Sequence, residues 1–158
     1  MGSFLWLVDN SFFAGYICFF RFYMLQYNMI KINGVLIVVR NDDIMLLKKN
    51  PTEFWEGVTS IVESAFSKCT FLENIELPNT VTSIGDYAFD CCFRLKSIKI
   101  PDSITSIGSY VFNRCAFLQK IEIPNTVTSI GYHAFDGLKN IEIANTVTRI
   151  CDRAFADC

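Results

Sequence analysis

Seven cysteines and one histidine are the residues in this 158-residue chain best suited to chemistry, and their spacing decides what chemistry that is. Cys69, Cys92, Cys115 and Cys158 each stand three residues after a phenylalanine, at Phe66, Phe89, Phe112 and Phe155, and Leu138 takes the same place after Phe135. A position that accepts leucine is a core position, so this column reads as buried thiols packing as small hydrophobes. The odd total leaves at least one thiol without an intrachain partner. Zinc sites are built on local pairs such as C-x-x-C, whereas these cysteines lie a whole repeat apart, so no metal is expected. A thiol nucleophile needs a base within reach. Cys151 and His133 are the one pair to consider, and no third orienting group accompanies them. The chain has no G-x-x-x-x-G-K-[ST], no G-x-S-x-G and no H-E-x-x-H, the patterns that cradle phosphate, raise a serine nucleophile or hold a catalytic zinc. The reading is a protein that is not an enzyme and takes no cofactor.

Composition narrows the partners. With 14 basic and 16 acidic residues the net charge is -2, which lacks the basic excess of nucleic-acid binders. At 51% hydrophobic and 19% charged, the chain is too apolar to be disordered and must bury much of itself.

The elements that position these residues repeat. Pro78, Pro101 and Pro124, Gly85, Gly108 and Gly131, and Phe66, Phe89, Phe112 and Phe135 all recur every 23 residues. The copies read LENIELPNTVTSIGDYAFDCC, LKSIKIPDSITSIGSYVFNRC and LQKIEIPNTVTSIGYHAFDGL, and a fourth, LKNIEIANTVTRICDRAFADC, starts at Leu138 because the third unit loses three residues after Phe135. Val58 to Cys69 is the second half of an earlier copy, making four to five units. Within a unit, Ile75-Glu76-Leu77 alternates as a strand with one buried face does, and proline ends it. Gly85 supplies backbone freedom at the turn, and Asp86 is placed to cap a short helical turn carrying Ala88, Phe89 and Cys92. A unit of this length cannot bury its apolar set alone, so stacked neighbours must supply the core. The expected fold is a repeat solenoid, with short parallel strands stacked into one sheet and turns and short helical segments on the return side. The phenylalanine column forms its spine.

The IPNTVTSIGYHAF block, with its L-x-x-I-x-I-P lead-in and trailing cysteine, resembles the BspA-like class of leucine-rich repeats over residues 52 to 158. That resemblance implies a curved α/β-type solenoid and a protein that is surface-exposed or secreted and acts in adhesion or host interaction. The last unit departs from the pattern, with Ala144 for proline, Arg149 for serine and Cys151 for glycine.

Outward strand positions form columns: Glu76, Lys99, Glu122 and Glu142; Glu73, Lys96, Gln119 and Lys139; Asn74, Ser97, Lys120 and Asn140. Opposite charges side by side on adjacent strands stabilise each other, so one reading is a self-paired solvated surface. The other is a recognition face for a protein or glycan, the usual use of solenoid sheets. On the return side, Tyr87, Tyr110, Tyr132 and His133 are either a small aromatic surface or half-buried packing between coils.

Residues 1–28 hold six of the fifteen phenylalanines and two charges, Asp9 and Arg21. They are read as an export or membrane segment, a packed cap, or the result of a start placed too early, with Met24 or Met29 the true one; membrane contact is expected only through residues 4–27. Residues 29–51 contain Asn33-Gly34 between apolar stretches, a hairpin signal, followed by a solvated connection that includes Asp43. The functional expectation is a non-enzymatic adhesion or interaction module at or beyond a cell surface. The alternative is an intracellular scaffold or truncated repeat protein without a binding role of its own.

Overall fold

Each repeat becomes one coil of a stack in the computed structural model, which describes residues 30–39, 43–138 and 145–158. The expectations for residues 1–28, Lys139, Asn140, Glu142 and Ala144 lie outside the described residues. The first wall consists of strands β4 (Asn74–Glu76), β6 (Ser97–Lys99) and β8 (Lys120–Glu122), parallel and in register at one repeat. Leu72, Ile75 and Leu77 and their equivalents in the next two coils point inward and are buried. Proline then ends each strand, having no N–H to offer a neighbour, and the chain turns before the T-S-I segment. That segment forms a second line of two-residue strands: β3 (Ser60–Ile61), β5 (Ser83–Ile84), β7 (Ser106–Ile107), β9 (Ser129–Ile130) and β10 (Arg149–Ile150). The expected single sheet is therefore divided. The described strands make three sheets, ordered β4-β6-β8, β7-β9-β10 and β1-β2-β3-β5, where β1 spans Ile30–Ile32 and β2 Val35–Val38.

The return side is built of turns, not helical segments, and the backbone shows why. Each coil carries two residues in the left-handed region four apart: Ser64 and Lys68, Tyr87 and Cys91, Tyr110 and Arg114, His133 and Gly137, Arg153 and Asp157. A right-handed helix cannot run through such positions. The amides point to the next coil instead, as in Phe66 N to Ala88 O at 2.8 Å, Phe89 N to Val111 O at 3.0 Å and Phe112 N to Ala134 O at 2.9 Å, which satisfies buried backbone groups without a helix. Asp86 likewise serves its neighbour: its Oδ1 accepts from Ser109 N at 2.7 Å across the coil boundary. Gly85 and Gly131 have ordinary negative-φ backbone. They are glycine for space, because a Cβ at Gly85 would meet the backbone of Val62 and Glu63, and one at Gly131 that of Gly108 and Ser109.

Inside, the Phe66, Phe89, Phe112, Phe135 and Phe155 rings stack at 4.9, 5.6, 5.6 and 5.4 Å, with interplanar angles of 15° or less. The N-terminal end is closed by the β1–β2 hairpin, whose turn places Asn33 and Gly34 at φ 50° and 79°, as a type I′ turn requires. β2 then pairs in parallel with β3. In doing so it imitates a coil: Gly34 O accepts from Thr59 N as Thr59 O accepts from Thr82 N, and Val39 N donates to Ala65 O as Phe66 N donates to Ala88 O.

Residues 43–51, expected as a solvated connection, and residues 52–55, expected as the start of the solenoid, form two short helices, α1 (Asp43–Lys49) and α2 (Pro51–Trp55). They bury Ile44, Leu46, Leu47, Phe54 and Trp55 against the first coil, and Asp43 is buried with them. α2 begins with Asn50 as N-cap, which accepts from Glu53 N at 3.3 Å, and with proline in the first turn, where its missing N–H costs nothing.

Candidate functional site

The β4-β6-β8 wall sets the outward columns side by side. Register pairs Glu76 with Lys99 and Lys99 with Glu122, and all three are exposed. In the second column Glu73 receives two cations, Lys96 Nζ at 2.8 Å and Arg94 Nη2 at 3.3 Å. The hydrogen bond and charge of Lys96, helped by Arg94, hold the Glu73 carboxyl below the usual carboxylate range. Gln119 is exposed beside Lys96, its backbone N–H donating to Lys96 O at 3.0 Å. In the third column Ser97 Oγ bonds Asn74 Oδ1 at 2.7 Å and Lys120 follows in β8. The first column alternates in charge, and the second is partly satisfied from within.

The aromatic residues of the return side pack between coils. Tyr87 stacks on Tyr110 at 4.6 Å and Tyr110 on His133 at 5.2 Å, both with nearly parallel ring planes, while Tyr132 meets Tyr110 and His133 edge-on. All four are half-buried. Burial, with Tyr132 and Tyr87 as neighbours, raises the Tyr110 hydroxyl above its ordinary value. His133 Nδ1 lies 2.7 Å from Asp136 Oδ2. Cys151, its candidate nucleophile, stands at the glycine position of the last coil and is held through its amide to Ile130 O at 2.9 Å. The structure thus joins His133 to Asp136 and the tyrosines instead of to Cys151. Among the described residues no group of three or more His, Cys, Asp or Glu could hold a metal ion.

The cysteine column is a set of inward donors. Cys92 Sγ donates to Phe66 O at 3.1 Å, Cys115 Sγ to Phe89 O at 3.2 Å and Cys158 Sγ to Phe135 O at 3.1 Å. Cys69 Sγ makes the equivalent bond to Val39 O at 3.3 Å. Burial pushes the Cys69 and Cys115 thiols up to about 12 and raises Cys92 as well. These groups stay protonated and inert at neutral pH. Cys151 and Cys158 are exposed, and the described cysteines are all free thiols.

Another group of residues falls outside the strand columns. Phe71, Phe93 and Phe117 leave 54%, 45% and 59% of their surface exposed at the corner where the return turn enters the strand wall. Register sets Arg94 between Phe71 and Phe117, one residue before Leu72, Leu95 and Leu118. Beside Phe93 lies a shallow, open recess lined also by Arg114, Ala116, Asp136, Gly137 and Asp157. Reading the strand alternation misses this corner because it precedes the alternating residues. The visible signal is the succession Phe71, Arg94, Phe117 at one repeat position.

Comparison with known proteins agrees with this architecture. The family described as the BspA type leucine rich repeat region matches residues 48–158 in six copies. A solved leucine-rich repeat protein from Bacteroides ovatus is 43% identical, with a TM-score of 0.59 over 62% of this chain and 26% of that one. The leucine-rich repeat protein of T. pallidum is 34% identical, with a TM-score of 0.61 over 64% of this chain and 49% of that one. A structure described as a leucine rich cell surface protein from Faecalibacterium prausnitzii is 37% identical, with a TM-score of 0.62 over 65% and 28%. The chain therefore spans between about a quarter and a half of the length of these relatives. No curated protein matches it. Among the described residues no helix is long and apolar enough to cross a membrane.

Proposed function

This chain belongs to the BspA-type leucine-rich repeat family, and from that premise we propose that it is a non-enzymatic interaction module displayed at or beyond a cell surface, holding a protein or glycan partner through the β4-β6-β8 wall. Leucine-rich repeats are generally protein-interaction modules, and the matches indicate no enzymatic family. The observation that carries the reading is the in-register row of exposed Glu76, Lys99 and Glu122 on a wall whose inner side is fully committed to the core. A rigid surface of this kind presents side chains at fixed spacing and orders few of them on binding, which limits the entropic cost. Surface display rests on the likeness to the F. prausnitzii cell surface protein.

Two measurements test the two halves of the proposal. Protease shaving of intact producing cells, with a C-terminal tag and a cytosolic control, should remove the tag and spare the control; a protected, soluble tag would leave an intracellular scaffold. On protein and glycan arrays, the double charge reversal Lys99→Glu/Glu122→Lys should weaken capture without shifting the melting temperature. Capture that is unaltered would move the site off this wall.

A further inference from the structure

We propose that Ser64 and Tyr87 form a ledge on the return side that seats an arginine side chain of a protein partner, its guanidinium flat on the outer face of Tyr87 and its charge answered by Glu63. The ledge lies apart from the β4-β6-β8 wall and stands or falls without it. Ser64, Tyr87, Tyr110, His133 and Arg153 hold one position in successive coils, all in the left-handed region with φ between 49° and 60°. The first three are also fixed by equivalent bonds to the next coil, Ser64 N to Asp86 O at 2.9 Å, Tyr87 N to Ser109 O at 3.0 Å and Tyr110 N to Tyr132 O at 2.8 Å. Side chains at this position therefore leave the backbone in the same direction. Tyr110 has a ring on either side, Tyr87 at 4.6 Å and His133 at 5.2 Å. Tyr87 stacks on Tyr110 alone among the described residues, because the coil before it supplies a serine. The volume of one ring is thus left over Tyr87, and Ser64 is exposed beside it.

Charge and shape select the occupant. The two turns that border the ledge, residues 62–68 and 85–91, carry the acids Glu63, Asp86 and Asp90 against one cation, Lys68. Asp86 Oδ1 accepts from Ser109 N and Asp90 Oδ1 from Asn113 Nδ2, each at 2.7 Å and toward the following coil. Glu63, next to Ser64 in the same turn, is exposed and makes no ion pair or side-chain hydrogen bond with a described residue. Lys68 stands four residues further along the turn, in the column of Cys91 and Arg114. The ledge is therefore an aromatic face with an acidic border. A flat cation suits it: the ring face attracts positive charge, a carboxylate takes guanidinium N–H groups in pairs, and the guanidinium is planar and weakly hydrated where an ammonium is neither. The column itself ends in such a group, since Arg153 follows His133 one coil on.

Chemical-shift titration of the isotopically labelled whole chain tests this. The probes are acetyl-glycyl-arginyl-glycine amide, a citrulline counterpart that keeps the plane and lacks the charge, a lysine counterpart that keeps the charge and lacks the plane, and methyl glucoside. The arginine peptide should move the Ser64 and Tyr87 amides with a Kd on the order of a millimolar, and its own side-chain methylene signals should shift upfield, as protons over a ring face do. Tyr87→Leu should weaken binding about two- to fivefold, the scale of an exposed cation–ring contact, and Glu63→Gln by a similar factor. Glu63→Gln alters an exposed side chain, so an unchanged melting temperature keeps that variant informative whatever Tyr87→Leu does to its coil. Equal binding of the citrulline or the lysine peptide would overturn the assignment to arginine. Methyl glucoside moving the same amides while the arginine peptide does not would assign the ledge to a glycan and overturn the proposal. Arginine-peptide shifts confined to β4, β6 and β8, or absent altogether, would overturn it too and leave the wall to be judged by its own arrays.

Discussion

Replacing Phe112 by alanine removes a ring with no exposed surface, held between Phe89 and Phe135 at 5.6 Å on either side. Truncating a buried phenylalanine costs ~3–5 kcal/mol, because lost transfer energy and the cavity left behind add together. Stacked ring pairs carry ~0.5–1.5 kcal/mol of that beyond their buried area, and Phe112 loses two of them. Coils above and below are themselves pinned by their own rings, so the site cannot collapse, and the upper end of the range applies. Phe155 is the internal control: it is half-buried and stacks on one described ring, Phe135 at 5.4 Å. Phe155→Ala should cost about half as much, roughly 1.5–2.5 kcal/mol. Against a typical net stability of ~5–15 kcal/mol, the central substitution removes a large fraction and the terminal one leaves a folded protein. Urea unfolding followed by circular dichroism and by the fluorescence of Trp55, which packs against Phe54 and Phe66, measures both. A Phe112→Ala midpoint within about 1 kcal/mol of the parent, or a larger loss for Phe155→Ala, would refute the argument that nearest-neighbour stacking holds the coils together.

The left-handed positions can be tested where nothing else changes. Gly137 has φ 80° and open space where a Cβ would sit, so Gly137→Ala should cost ~1–2 kcal/mol through backbone alone, whereas Lys68→Gly, at φ 62° on the surface, should be neutral or stabilising in the same urea titration. Stability should also fall in alkali. The Cys115 thiol is raised by burial from 9.0 to about 12, so above pH 9 the unfolded chain releases a proton that the folded chain keeps. Each further pH unit then removes up to ~1.4 kcal/mol per buried thiol until the folded value is reached. Urea titrations at neutral pH and in mild alkali that give the same stability would contradict the thiol ladder.

The repeat alone makes most of the scaffold legible. Residues one period apart must be neighbours in adjacent coils, so the Phe66-to-Phe155 spine, the buried isoleucines and the cysteine column all follow from spacing. What stayed hidden has local physical causes. A glycine column records that a side chain is excluded without saying whether dihedral or space excludes it, and at Gly85 and Gly131 the reason is the backbone of the coil before. The left-handed tyrosines, lysine and arginine give no compositional sign of their conformation, because tertiary packing imposes it on residues that would otherwise avoid it. α1 and α2 fall outside the period and are too short for an apolar stripe to declare itself; the cue was Asn50-Pro51-Thr52-Glu53, a cap, a first-turn proline and an acidic third residue. Of the candidate site, the Glu76–Lys99–Glu122 row was readable from alternation. The phenylalanine corner was not, because the direction of a side chain in a turn is set by dihedrals and not by parity.

The hairpin that closes the stack presents Gly34 O and Val39 N and O at the places where a preceding coil would present its own. For the first coil, the cap and a sibling are therefore interchangeable partners. Nothing in such a contact counts how many coils follow, so the length of the solenoid is decoupled from the means of ending it. Whole repeats can then be added to or taken from the strand wall while one closure is kept.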